Sequence, residues 1–419
     1  MLEVLKPRER SLYITLLINF AIMGAVVTVF GAAIPSVIAG YKWSYTDAGI
    51  VFAGSSAGFF LSSLTAGFLI ERLGVRPVLA TALAIEIVSL LFFARTPYVS
   101  VNLVLYFLIG IGLGTNELIT NFTVVRIEER GKSRLMNLIH SAWCVGAILG
   151  PLGVANLIRD HLAWQVVFPT IAGLVLIMAT FLMFQRFPAP DAERKVESLR
   201  RGEAPSIESG PSEKALTPAI PRAALFVFLC AAAIFVYIGV EKGVYNWISE
   251  YFVAVLRTPV ALGASMVALY WTGQFSGRLL LSILYRGSRL ESLLLVLCAA
   301  SVFALFFLSF VHVVWLAVMC TFLAGFVNSG IFPVIISLTG KYSARGRSVG
   351  IVTAASGIAG ILFPFVVAWV SEIAGMRAGF ATVFFIAVLL TLLGVIIVLR
   401  AGRFERTIPE KLHAGGTTG

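Results

Sequence analysis

Long apolar runs separated by short polar clusters dominate this chain. Twelve of them have the length a helix needs to cross a hydrocarbon layer, about 20 residues. They cover residues 12–39, 46–73, 76–95, 99–126, 133–158, 163–187, 222–256, 260–285, 289–311, 313–342, 347–374 and 378–401. The pattern predicts an all-α membrane protein with twelve transmembrane helices and no soluble domain beside them. The start is basic (Lys6, Arg8, Arg10) and runs directly into a full-length apolar segment. Lacking a small-residue cleavage site, it reads as an anchored first helix and not as a removed signal peptide.

One polar stretch interrupts the pattern. From 188 to 221 the composition turns to Pro, Ser, Glu and Arg. Such a stretch cannot bury a core and is expected to be a cytoplasmic linker, with a short amphipathic helix near 191–201. The expected organisation is therefore a six-helix bundle at 1–187, the linker at 188–221, a second six-helix bundle at 222–401 and a tail at 402–419. A shift of 213 residues brings the bundles into register. Lys132 falls on Arg345, Arg134 on Arg347, Gly112 on Gly325 and Pro151 on Pro364. Several coincidences in one register indicate a repeat, hence two pseudo-symmetric halves.

Charge changes the picture only in its distribution. The net charge of +11 could suggest nucleic acid. When alternate loops are assigned to one side, however, the side holding the N-terminus collects 25 of the 32 Lys and Arg. That is the positive-inside bias, and it predicts both termini and the linker in the cytoplasm of a multi-pass plasma (inner) membrane protein. No nucleic-acid partner is expected. Cys144, Cys230, Cys298 and Cys320 lie in apolar segments without metal-ligand spacing and read as packing residues. The chain has no phosphate-binding Gly-rich loop ending in Lys-Ser/Thr, so no ATP-driven step and no cofactor is expected.

A few polar residues stand out inside the apolar runs. In the fourth segment Glu117 lies near mid-length, with Asn116 beside it and Asn121 four residues on, over the same face. A charge at that depth costs at least ~2.5–3.5 kcal/mol. Glu117 therefore serves as substrate hydroxyl acceptor, proton carrier or both, or else as a bundle hydrogen-bonder. In the fifth segment Asn137, His140 and Ser141 share a face that Trp143 continues, and the small residues of 146–150 permit close helix approach. In the seventh, Tyr237, Glu241 and Tyr245 form one stripe and Lys242, Asn246 and Ser249 the adjacent one. Lys242 is expected to pair internally or to reach toward an interface. Trp247 reads equally as an interfacial belt residue and as a stacking surface. The eighth segment places Gln274 over Tyr270 and Trp271, with Arg278 as a clamp for the loops on the N-terminal side. The tenth holds Asn328 followed by Pro333, which should break or kink the helix there. Aromatic rings beside amides suit a pyranose, whose C–H face packs on a ring while Asn and Gln bond its hydroxyls.

Several of these strings together resemble a known family. Parallel six-helix repeats describe the major facilitator architecture, and Gly67 to Arg76 is similar to that superfamily's loop signature, with Glu71 where Asp is usual. Gly112–Asn121, Asn137–Leu152, Tyr237–Glu241 with Asn246-Trp247, and Phe332–Leu338 resemble the fucose/galactose/glucose:proton symporters and their sodium-dependent glucose-transporter relatives. The resemblance places Glu117 and Asn121 on the family's Glu and Asn of the fourth helix. It also implies an acid in the first helix four residues before a proline, a position that Gly31 occupies here, before Pro35.

The expected function is secondary active import of a hexose-like monosaccharide by alternating access, a sugar symport coupled to a proton or to sodium. Glu117, Glu241 and His140 are the candidates for proton coupling. Asn116, Glu117, Asn121, Asn137, His140, Trp143, Tyr237, Glu241, Asn246, Trp247, Trp271, Gln274 and Asn328 are the candidates for substrate binding. The other expected partners are membrane lipid and no second protein chain, that is, a monomer; no metal is expected. The rival reading is a proton-coupled exporter of amphiphilic compounds, which Gly146–Gly153 resembles locally. The number of Asn and Gln residues argues against it. An enzyme is not expected, since no HExxH, no serine nucleophile elbow and no metal-spaced carboxylate pair occurs.

Overall fold

The computed structural model describes residues 6–127, 134–187, 220–284, 289–342 and 346–405. Most of the predicted linker and nearly all of the predicted tail lie outside these residues, as do Lys132 and Arg345 of the repeat register. The side chains of Arg134 and Arg347 are likewise not described. Among the described residues every regular element is a helix. The helices are α1 (Pro7–Tyr41), α2 (Tyr45–Leu73), α3 (Val75–Phe92), α4 (Val99–Ile127), α5 (Arg134–Arg159), α6 (Val167–Phe184), α7 (Ile220–Ala254), α8 (Val260–Leu284), α9 (Leu290–Phe310), α10 (Val314–Asn328), α11 (Ile331–Tyr342), α12 (Gly346–Ala374) and α13 (Met376–Glu405). Among the described residues eleven segments are long and apolar enough to cross a membrane, with α10 and α11 counting as one. The remaining helix, α8, packs among them against α10, α5 and α7.

The segments match the predicted ones to within a few residues, with one informative exception. The tenth is two helices, ending at Asn328 and restarting at Ile331. Pro333 has no N–H to give the carbonyl four residues back, that of Ser329. The turn of 329–330 opens there, and Val334 N–H bonds Gly330 O at 3.1 Å as the new helix begins.

The packing repeats itself along the chain. In the first six helices α1 packs on α5 and α6, α2 on α4, and α3 on α4 and α6. The same pairings recur as α7 on α12 and α13, α8 on α10, and α9 on α10 and α13. The expected close approach in α5 is present: a Cβ on Gly146 would collide with the backbone carbonyl of Ala21 on α1. The first six helices meet the rest along α2–α12, α5–α8, α1–α8 and α1–α7. Gly31 lies in the last of these seams. A Cβ there would come within 2.6 Å of Tyr245 O on α7, so no side chain, acidic or otherwise, fits where the resembled family carries its acid.

The two groups are latched at the end away from the termini. Ser44 caps α2, with its Oγ accepting from Asp47 N–H at 3.0 Å and Asp47 Oδ2 accepting from Ser44 N–H at 2.9 Å. The next free amides of that first turn, Tyr45 N–H and Thr46 N–H, donate to Glu372 Oε2 of α12 at 2.8 and 3.4 Å. A carboxylate from one group thus completes the helix N-terminus of the other. Tyr45 OH donates to Glu250 Oε1 of α7 at 3.2 Å, and Ser249 Oγ to Ala32 O of α1 at 3.1 Å.

Candidate functional site

A buried polar cluster lies where α7, α8 and the α10–α11 break converge. Tyr237 and Glu241 are one turn apart on α7, and Tyr237 OH donates to Glu241 Oε1 at 2.8 Å. Gln274 of α8 donates from Nε2 to the same oxygen at 2.9 Å and lies 3.4 Å from Tyr270 OH. Asn328, the last residue of α10, reaches Tyr270 OH from Nδ2 at 3.4 Å. Tyr237, Tyr270, Gln274 and Asn328 are all fully buried. Stripes at i and i+4 make this arrangement possible, since each helix brings two polar groups to one face.

The opened helix supplies the rest of the frame. Tyr237 OH lies 3.1 Å from Asn328 O, and Arg278 Nε donates to Ser329 O at 3.4 Å, the carbonyl that Pro333 leaves free. Arg278 also reaches Cys144 Sγ of α5 at 3.4 Å. This corrects the expectation for Arg278: among the described residues its hydrogen bonds go to the broken helix and to α5 inside the bundle, not to a loop.

Several polar atoms in this region have no partner. Trp271 Nε1, Gln274 Oε1, Asn328 Oδ1 and, on α4, Asn121 Oδ1 are buried without a hydrogen bond. Native interiors rarely leave such groups unpaired, because each costs about 1–3 kcal/mol. One donor and three acceptors are therefore available to a molecule with both kinds of group. Rings flank them. Trp143 of α5 and Trp271 meet edge to face with centroids 4.5 Å apart, and Tyr245 lies 5.6 Å from Trp271.

The first group contributes Glu117 and Asn121, both half-buried on α4. Glu117 is within electrostatic reach of Lys242 of α7. His140 stacks edge-on with Phe20 at 5.2 Å and lies within electrostatic reach of Arg278. Other predicted residues lie apart from the cluster. Asn116 is buried in a pair with Asn19 of α1, whose Nδ2 donates to Asn116 Oδ1 at 2.8 Å. Asn246 is packed on the α1 seam beside Gly31. Trp247 is fully buried, bonds Pro364 O at 3.2 Å and packs on Tyr45 and Phe52, so it belongs to no interfacial belt. Asn137 lies in α5, and its side chain is outside the described residues.

The sequence reading overlooked three polar groups. Asn19 was one polar residue in an apolar run, with no i+4 partner to draw notice. Ser56 of α2 accepts from Lys242 Nζ at 2.8 Å. Glu86 of α3 is fully buried with neither carboxyl oxygen bonded, and a Cβ on Gly112 of α4 would lie 3.0 Å from its Oε2. Glu86 could have been found by the argument that singled out Glu117, an acid inside a spanning run. The four cysteines are buried and unpaired, as expected of packing residues, and no cluster with metal-ligand composition occurs among the described residues.

Comparison with known proteins agrees with this architecture. The model of the Major Facilitator Superfamily matches residues 16–299. The glucose/mannose transporter GlcP of Bacillus subtilis (strain 168) is 24% identical over 358 residues, covering 84% of this chain and 85% of that protein. A TsgA homolog of Erwinia tasmaniensis is 23% identical over 371 residues, covering 87% and 89%. Among solved structures, the D-xylose-proton symporter superposes with a TM-score of 0.72 at 16% identity, covering 92% of this chain and 96% of that one. The nucleoside transporter NupG superposes at 0.70 and 14% identity, covering 94% and 99%.

Proposed function

The chain belongs to the Major Facilitator Superfamily, a family of membrane transporters and not of enzymes, and from that premise we propose that it imports a neutral hexose-like sugar by alternating access, driven by a proton that Glu117 carries. The observation that carries the reading is the set of unpaired atoms at Trp271, Gln274, Asn328 and Asn121, placed beside the Trp143 and Trp271 rings. A pyranose has the matching chemistry: hydroxyls that both donate and accept, and a C–H face for a ring. The charges inside the site favour a neutral cargo. Glu117 and Glu241 offset Lys242 and Arg278, leaving no net charge for a sugar acid or sugar phosphate to neutralise. The kinship with a glucose/mannose transporter supports the same substrate class.

In this reading Tyr237, Glu241, Gln274 and Asn328 hold the sugar hydroxyls, Trp143 and Trp271 its ring, and Asn121 joins from the other half. The two six-helix bundles rock about this site. The latch at Tyr45, Glu250 and Glu372 closes the extracellular side, both termini being cytoplasmic. In this reading the described arrangement is closed to the outside. The working unit is a monomer in the plasma membrane.

A melting-temperature screen of the purified protein tests the substrate class. Glucose, mannose or a related neutral hexose is expected to raise Tm by several degrees at millimolar concentration, while gluconate and glucose 6-phosphate leave it unchanged. Stabilisation by the charged sugars alone would contradict the reading.

A further inference from the structure

Lys242 plays no part in holding the sugar, and its surroundings are unusually complete. It follows Glu241 in sequence and so points about 100° away from it around α7. Glu241 faces the cluster; Lys242 faces the other group of helices. Its Nζ donates to Ser56 Oγ of α2 at 2.8 Å. On the far side lies Gly360 of α12, where a Cβ would stand 2.7 Å from Nζ, 3.1 Å from Cε and 3.1 Å from Ser56 Oγ. Three helices therefore form a notch for one ammonium, and it exists because residue 360 has no side chain.

An ammonium has three N–H donors, of which Ser56 takes one. Left unbalanced inside the bundle it would be strongly destabilising. The carboxylates within its electrostatic reach are Glu241 and Glu117. Glu241 already accepts from Tyr237 and Gln274. Glu117 makes no hydrogen bond to the described residues, and Lys242 is a charge within its electrostatic reach. The other titratable groups around Glu117 are engaged elsewhere or distant. Glu86 on α3 lies against Gly112, more than one helical turn along α4. His140 on α5 is turned to Phe20 and Arg278. The polar side chain from α1, Asn19, does not titrate and is bonded to Asn116.

We propose that Lys242 is a tethered counter-ion that competes with the transported proton for Glu117 and is withdrawn when the two helix groups part. Glu117 and Ser56 belong to the first group, Lys242 and Gly360 to the second. Motion that separates α2 from α7 and α12 breaks the Lys242–Ser56 bond and carries the ammonium away from Glu117. The carboxylate then exchanges its counter-ion for a proton, and closure of the outer side brings Lys242 back to displace that proton toward the cytoplasmic side. Loading is thereby confined to one side of the cycle. The inference rests on the assignment of Glu117 as the proton carrier, and its test needs no sugar.

Dicyclohexylcarbodiimide modifies protonated carboxyls in apolar surroundings, and peptide mass spectrometry reads Glu117 separately from Glu86 and Glu241. With the purified full-length protein at neutral pH, Lys242→Gln is expected to speed Glu117 modification at least fivefold. Ser56→Ala should do so by a smaller factor, and Lys242→Arg should leave the rate near that of the unaltered protein. An equal rate in Lys242→Gln and the unaltered protein overturns the proposal, whatever the cargo is. If Lys242→Gln does not fold, the double variant Glu117→Gln/Lys242→Gln must recover the folded, monodisperse protein, because removing both charges leaves none unbalanced. Failure of that rescue also overturns it. Fast labelling of Lys242→Gln in a protein that carries no hexose would leave the counter-ion standing and remove the sugar reading.

Discussion

Glu241 is the junction of the site. One of its oxygens accepts from both Tyr237 and Gln274, so a sugar hydroxyl that donates to Glu241 finds an acceptor already oriented by two neutral donors. Gln274 and Asn328 each keep a free carbonyl oxygen. Truncating either to Ala should weaken hexose binding about tenfold, or ~1.4 kcal/mol, without loss of folding; titration calorimetry on the purified variants checks this. Glu86 has the opposite profile, with burial and no partner. Replacing an unsatisfied polar group by an apolar one of similar size removes a desolvation cost. Glu86→Leu should therefore melt at or above the temperature of the unaltered protein. A fall of more than roughly 5 °C would show that the carboxyl has a partner. Legibility at this scale follows from the physics. Glu117 was visible because a charge inside an apolar run is costly whatever surrounds it. The destination of Lys242 was not, because Ser56 lies 186 positions away along the chain.

At the scale of the element, the decisive feature is the break between α10 and α11. Pro333 denies Ser329 its helical partner, and the carbonyls of 328 and 329 then serve Tyr237 and Arg278. Pro333→Ala restores an N–H that competes with Arg278 for Ser329 O. It is expected to lower transport at least fivefold while leaving the melting temperature unchanged or raised. Paired uptake and melting measurements on one preparation decide it, and a simultaneous collapse of both would mean that folding requires the break. The break itself was legible, since proline acts locally. So were the helix limits, which hydropathy places within a few residues. What its neighbours would do with the freed carbonyls was not, because that depends on three helices meeting.

At the scale of the molecule, two packed groups are joined along several helix seams and latched at one end. The repeated pairing of helices had a trace in the sequence, in the 213-residue register, whereas the latch had none. Glu372 is an ordinary acid near the end of an apolar run, and only the fold sets it against the first turn of α2. Glu372→Ala should loosen that end. A cysteine at Ser249, buried behind the latch, should then react with a membrane-impermeant maleimide at least fivefold faster than in the latched protein. Unchanged reactivity would remove Glu372 from the gate.

The central claim is tested most directly by uptake of labelled glucose and mannose into proteoliposomes under an inward proton gradient. The account predicts accumulation above the external concentration that collapses with the gradient. In Glu117→Gln it predicts accumulation lost at least tenfold, with sugar exchange across the membrane retained. Undiminished gradient-driven accumulation by Glu117→Gln, or no hexose movement in the unaltered protein, would contradict it.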